Sequence, residues 1–192
     1  MPRLTLSALA LSALAACSGP TNLLELPPET STLRLRASVS SAMVRTVSLP
    51  SYAAAEEYAV ESAPGVIEAT SDLLWADAPD RAATLAVAGH LTDILGITVG
   101  PEPWPFVGLP DVSVDIRVAR MLAGADGVFR LTGQYFVGGD GIDYPNSTRS
   151  FAYAVPLVAP GTEADVTAGG VAAAQGRALR LLAEDIARGL GR

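Results

Sequence analysis

Lysine is absent from this 192-residue chain; all thirteen basic residues are arginine. A phosphate-cradling G-x-x-x-x-G-K loop is thereby excluded, and the arginine usage itself reads as GC-rich codon bias. Cysteine occurs once, at Cys17, and histidine once, at His90. One of each cannot build a zinc site of the usual ligand type, and no intramolecular disulfide can form. There is no G-x-S-x-G elbow, so a serine hydrolase of that kind has no support. No repeat of ~20–50 residues suggests a solenoid or propeller. The charge is one-sided, −7 overall, with no strongly basic stripe, which excludes nucleic acid as a natural partner. The longest apolar run, Leu4 to Ala13, has about ten residues, where a membrane-spanning helix takes roughly 20.

That short run has another use. Arg3 supplies a positive start, Leu4 to Ala13 the apolar centre, and Ala15 and Ala16 the small residues of an export signal. A leucine then stands three residues before a cysteine in Leu14-Ala15-Ala16-Cys17, the pattern of a bacterial lipobox. Cleavage would remove residues 1–16, leave 176, and make Cys17 the acylated N-terminus. Two or more acyl chains anchor a protein stably, where one gives only marginal binding. Loss of Arg3 takes the net charge from −7 to −8. Ser18, standing where an aspartate often retains lipoproteins in the inner membrane, points to the periplasmic face of the outer membrane.

Residues 17–32 read as a lipidated tether, broken by Gly19, Pro20, Pro27 and Pro28, with Leu23, Leu24 and Leu26 free to dock on the domain or at the lipid interface. Residues 33–192 form the domain. Leu33 to Ala37 alternates apolar and charged residues and predicts a first strand; Met43 to Leu49 predicts a second. Tyr58–Glu61 and Val66–Thr70, split by Ala63-Pro64-Gly65, predict a hairpin. From Asp80 to Leu95 the period becomes helical, with Pro79 at the start, Asp77 or Asp80 able to cap, and Gly96 after the end. Leu85, Ala88, Leu91 and Leu95 mark its apolar stripe, with Val87 and Ile94 widening it. Ile97–Val99 is a short strand, and Gly100 to Phe106 a proline-stiffened loop. Val112 to Val118, Phe129 to Val137 and Phe151 to Leu157 predict a three-strand meander. A second helix follows from about Ala164, with Gly169-Gly170 able to delay its start, to Leu190; Glu163, Asp165 and Arg188 suit its dipole. The order predicts an α+β fold: a mostly antiparallel sheet with two helices packed on one face.

The chain offers no catalytic constellation. His90 falls off the Leu85/Leu91/Leu95 stripe and reads as a solvated surface residue. The acidic pairs Glu56-Glu57 and Glu184-Asp185 read as solvated faces, and Asp140 and Asp143 sit in a hairpin tip without the spacing of an EF-hand. Three aromatics stand out. Trp75 precedes the first long helix, and Trp104 and Phe106 follow it. They either pack as anchors around the helix ends or offer a partner or lipid contact.

Several short patterns occur in a fixed order: the lipobox, V-x-x-V-x-L-P-x-Y at Val44 to Tyr52, Trp75-Ala76-Asp77-Ala78-Pro79, L-x-x-I-L-G at Leu91 to Gly96, Pro103-Trp104-Pro105, then V-x-V-D-I-x-V and L-x-G-x-Y strands. Over roughly residues 33–190 the set resembles the PqiC-like family of ABC-type transport auxiliary lipoproteins. Asp80 replaces the apolar residue usual after the proline, and Gly133-Gln134-Tyr135 stands where the family often has Ala-x-Trp. The resemblance implies a non-enzymatic subunit without cofactor, working beside an MCE-domain protein and an inner-membrane permease and ATPase. Its implied task is moving lipids between membranes and keeping the envelope intact. A ring-shaped partner would favour a self-associating receiver. The alternatives are a periplasmic lipid-binding carrier and an assembly lipoprotein of another envelope export complex.

Overall fold

The computed structural model describes residues 22–158 and 166–191; the leader, Cys17, Glu163 and Asp165 lie outside the described residues. In chain order the elements are β1 (Asn22–Leu24), β2 (Ser41–Val44), α1 (Ser51–Ala54), β3 (Glu57–Ala63), β4 (Val66–Trp75), α2 (Pro79–Leu95), β5 (Thr98–Pro101), β6 (Val112–Ala123), β7 (Val128–Gly139), β8 (Ser147–Pro156) and α3 (Ala168–Leu190). The fold is α+β, as the pattern predicts, with one eight-stranded sheet. Antiparallel pairing dominates through β3–β4 and the β6–β7–β8 meander, and parallel pairs join β1–β4, β2–β5, β2–β6 and β3–β6.

β6 organises the sheet. One edge pairs along its length with β7. The other edge is shared: β2 lies beside Val112–Val114, and β3 meets it at Ala123. Between them Arg45 and Ser48 donate their amides to the carbonyls of Val114 and Ile116, and Val118 donates to Ser48. One parallel course is thus interrupted only by α1. The sheet consequently has two ends. β5 and the β7–β8 turn lie where β6 begins; the β3–β4 hairpin lies where it ends. Twelve residues at ~3.3 Å each put these ends roughly 35 Å apart.

Strand alternation decides which face the helices cover. Val112, Val114, Ile116 and Val118 are buried, as are Phe129, Leu131, Tyr135 and Val137 across from them. α2 lies on β2 and β5, α3 on β7 and β8, and the two helices pack on each other. The opposite face is polar: Arg117 pairs with Asp115 at 2.9 Å and lies over the Phe136 ring. Along α3 Val171, Ala178, Leu179, Leu182, Ile186 and Leu190 share one buried side. Its start is delayed to Ala168, where the Thr167 hydroxyl accepts from the Gly170 amide at 3.1 Å.

Three local expectations change. Leu33–Ala37 joins no ladder beyond one bridge from Ala37 to Gly191. It crosses the helix ends instead, with Leu35 N donating to Ile94 O and Ser38 N to Leu190 O, both at 2.9 Å. Leu33, Leu35 and Ala37 still turn inward, so the alternation survives while orphan helix carbonyls supply the partners. On α2 Val87, Ala88, Leu91, Ile94 and Leu95 are buried as expected, but Leu85 is exposed, because the buried face runs on through Ala83 and Val87 and leaves Leu85 at its margin. Neither Asp77 nor Asp80 caps α2; the N-cap is Ala78, and Asp77 pairs with Arg81.

Gly133 faces Phe151 across the β7–β8 ladder and Val118 across β6. A Cβ there would lie 2.2 Å from the Arg117 carbonyl oxygen and 2.8 Å from the Phe151 ring. The glycine lets the Phe151 ring stack beside Tyr135 at 6.5 Å. Gly133→Ala is expected to cost about 2 kcal/mol or more by overpacking, within the usual range for such insertions. Denaturant unfolding checks this; an unchanged midpoint would show that the strand has room to relax.

Candidate functional site

Two regions of the described surface stand out, a groove and a pair of loops bearing exposed apolar side chains. The first is a groove of about 460 Å³ along α2. Ala82, Leu85, Ala86 and Gly89 form one wall, spaced three and four residues apart so that they share a helix face. Leu24 to Glu29 form the other wall, Trp75 closes one end, and Gln175 and Gly176 of α3 reach the floor. Trp75 is half-buried, tilted against Tyr58 with ring centres 6.4 Å apart, and its backbone sits opposite Leu24.

The N-terminal wall is part of the domain. Of the residues read as tether, Leu24 completes a parallel pair with Trp75 and Leu26 packs on the core, the docking that these leucines allowed. Polar groups fasten the rest. Ser31 Oγ donates to Glu184 Oε1 at 2.8 Å, Arg180 reaches the same oxygen at 2.6 Å, and Glu29 faces Arg180 at 3.9 Å. Gly176 allows the close approach: a Cβ there would sit 3.1 Å from Glu29 Cγ and 3.3 Å from the Pro27 carbonyl. Burial alone would raise the Glu184 pKa, but the hydrogen bonds from Ser31 and Arg180 and the charges of Arg180 and Arg188 hold it below its usual value.

His90 lies beside this cluster and is buried, so the expectation of a solvated histidine is corrected. The apolar count along α2 missed it because the helix buries a second flank under α3. Burial pushes its pKa down; Arg180 adds to that, and Asp93, Glu29 and Glu184 oppose it. No group of three or more metal-ligating side chains comes together among the described residues.

The second region is a pair of loops at the end of the sheet where β6 begins. Trp104 and Phe106 meet edge to face, ring centres 4.9 Å apart. Trp104 is half-buried, and its Nε1 is buried with no acceptor among the described residues. Beyond it the chain turns outward. Phe106 and Leu109 are exposed and Val107 fully so. Ile142, from the β7–β8 loop, is exposed on the adjoining loop. Backbone bonds bind the loops together: Asp140 N to Asp111 O at 3.0 Å and Gly141 N to Pro110 O at 2.7 Å. Of the three predicted contact aromatics, Trp104 and Phe106 therefore share a site, while Trp75 belongs to the groove. Val107, Leu109 and Ile142 escaped notice in the sequence because isolated aliphatics between glycines and prolines carry no periodic signal.

The electrostatics of His90 predict a pH dependence of stability. Its folded pKa lies below the ordinary 6.5, so on acidification the unfolded chain takes up the proton first. The His90 contribution is whole above about pH 6.5 and lost as pH falls toward the folded value. Glu184 acts lower, its contribution being lost as pH falls below the ordinary 4.5 toward its own folded value. Urea unfolding between about pH 7.5 and pH 5.5 should show stability falling, and His90→Gln should flatten that slope while leaving the acid limb of Glu184.

No helix among the described residues is long and apolar enough to cross a membrane. A search among curated proteins finds no match. Solved structures share the fold. One uncharacterised protein superposes with a TM-score of 0.70 at 16% identity, covering 90% of this chain and 100% of its own. A protein from Xanthomonas campestris, of family DUF330, gives 0.68 at 16% identity, covering 87% and 94%. The model of one sequence family matches residues 23–187, from the strand β1 to the last turn of α3. The chain belongs to the family of ABC-type transport auxiliary lipoprotein components.

Proposed function

We propose that this auxiliary lipoprotein is a docking subunit of an MCE-type ABC lipid transport system, held by acylated Cys17 at the periplasmic face of the outer membrane. The observation that carries the reading is the loop pair bearing Phe106, Val107, Leu109 and Ile142. Large apolar side chains on loops braced by backbone bonds suit a protein partner: exposed aromatics and aliphatics are the anchors of interfaces, and bracing lowers the entropy lost on binding. The patch lies at the end of the sheet remote from the β3–β4 hairpin. A periplasmic MCE protein, joined to its permease and ATPase, would meet this end. A non-enzymatic role follows, since the site offers shape and apolar surface. A self-associated receiver would present several such patches to a ring.

The groove supports a second reading, a lipid-binding carrier. Leu24, Leu26, Trp75 and Leu85 offer apolar walls, although Glu25, Glu29, Asp77 and Asp93 also line it. Mass spectrometry of purified protein discriminates: co-purified lipid that Leu85→Asp abolishes would favour the carrier.

For the docking reading, Val107→Asp combined with Leu109→Asp should leave stability unchanged, since both side chains are exposed. Capture of the MCE-domain protein from detergent-solubilised membranes should fall at least ~10-fold, equivalent to about 1.4 kcal/mol. Undiminished capture would sink this assignment of the loops. Cys17→Ser is expected to give a folded chain that leaves the membrane fraction and fails to restore detergent resistance in a deletion strain; full activity from that soluble form would overturn the anchor.

A further inference from the structure

The domain reaches an anchored Cys17 through very little chain. Asn22 is already paired with Leu73 of β4, and only residues 18–21 separate it from Cys17. Five residue steps span at most roughly 18 Å when fully extended. A tether running to residue 32 would have allowed several tens of ångströms; the pairing of β1 removes most of that freedom.

β1 also has a direction. It runs parallel to β4, so the chain enters it from the side on which β4 begins, that of the β3–β4 hairpin. This hairpin projects from the body: Ser62 through Ala69 are all exposed, whichever face of the strand they occupy. Val66 and Ile67 at its tip are 50% and 39% exposed. From Leu73 back to Val66 is seven steps, roughly 23 Å of strand at ~3.3 Å each. The tip therefore extends at least as far from Asn22 as the link to Cys17 can stretch. The charge nearest the turn is paired: the Glu61 carboxylate accepts from Gly65 N at 3.0 Å and from Arg120 at 2.8 Å. Glu68 is exposed on the flank and limits how deep the tip can go, since a free carboxylate stays in the wet headgroup layer.

We propose that the tip of the β3–β4 hairpin, Val66 and Ile67, rests in the headgroup region of the lipid surface that holds the acyl chains. Phospholipid is the occupant because the short link carries this end of the sheet, and no other, to the bilayer. The contact fixes the orientation of the domain and turns the Phe106–Leu109 loop away from the membrane, roughly 35 Å along β6. This placement rests on the acylated Cys17 proposed above.

Cys17 is the only cysteine, and acylation consumes its thiol, so Val66→Cys or Val107→Cys adds a single labelling site. Lipidated full-length chain carrying either label is reconstituted into phosphatidylcholine vesicles containing a quencher-bearing lipid, and flotation is followed in parallel. Quenching several-fold stronger at position 66 than at position 107 is expected. Adding Ile67→Asp to Val66→Cys should lower that quenching several-fold with flotation unchanged. Protein that floats with equal quenching at both positions, or stronger quenching at 107, overturns the hairpin contact and leaves the anchor standing. Protein that fails to float refutes the anchor, and the membrane placement with it.

Discussion

Val112, Val114, Ile116 and Val118 of β6 are buried beneath the helix layer, and the strand that carries them shares its edge between β2 and β3. Two constraints meet in this one element. Its inward face must be covered by apolar surface, which brings α2 and α3 together on one side. Its edge must satisfy amides and carbonyls along twelve residues, which no single short strand can do. The second constraint is met by a parallel course that runs from β2 past α1 into β3, and it sends the contact loops and the projecting hairpin to opposite ends. The polarity of the molecule follows from backbone pairing rather than from any charged or catalytic centre.

The same economy appears at the helix ends. The segment Leu33–Ser38 donates its amides to Ile94 and Leu190, closing the C-termini of both long helices with one crossing. Just upstream, Ser31 and Glu29 reach Glu184 and Arg180 of α3. Solvent screens these partly buried groups less than exposed ones, and the bonds from Ser31 and Arg180 to Glu184 Oε1 offset the cost of burying its charge. Together they hold the N-terminal segment on α3, and the groove lies between that segment and α2.

Much of the architecture was legible in the residues. Period-two alternation in Val112–Val118 and period-3.6 spacing in α3 are strong signals because each buries one face, and burial selects apolar side chains there. The hairpin around Pro64-Gly65 was legible from turn chemistry. The failures share one cause. Asn22–Leu24, Leu33–Ala37, Leu85 and His90 owe their placement to neighbours distant in the chain, and local patterns carry no record of those neighbours. Proline-rich composition read as tether, yet β4 supplied a free edge for three residues to pair. Of the candidate site, Trp104 and Phe106 were visible as aromatics in a stiff loop; Leu109 and Ile142 came onto adjoining loops only when backbone bonds joined segments some thirty residues apart.

The amino-acid sequence by itself determined the export leader and lipobox pattern, the α+β class and the family, because these depend on local order: which residue follows which, and with what period. Only the tertiary structure decided that Asn22–Leu24 pairs with β4, that His90 is buried, and which aromatics share a surface. Those outcomes depend on strand pairing and helix packing between segments far apart in the chain, and such energies are defined only once both partners are in place.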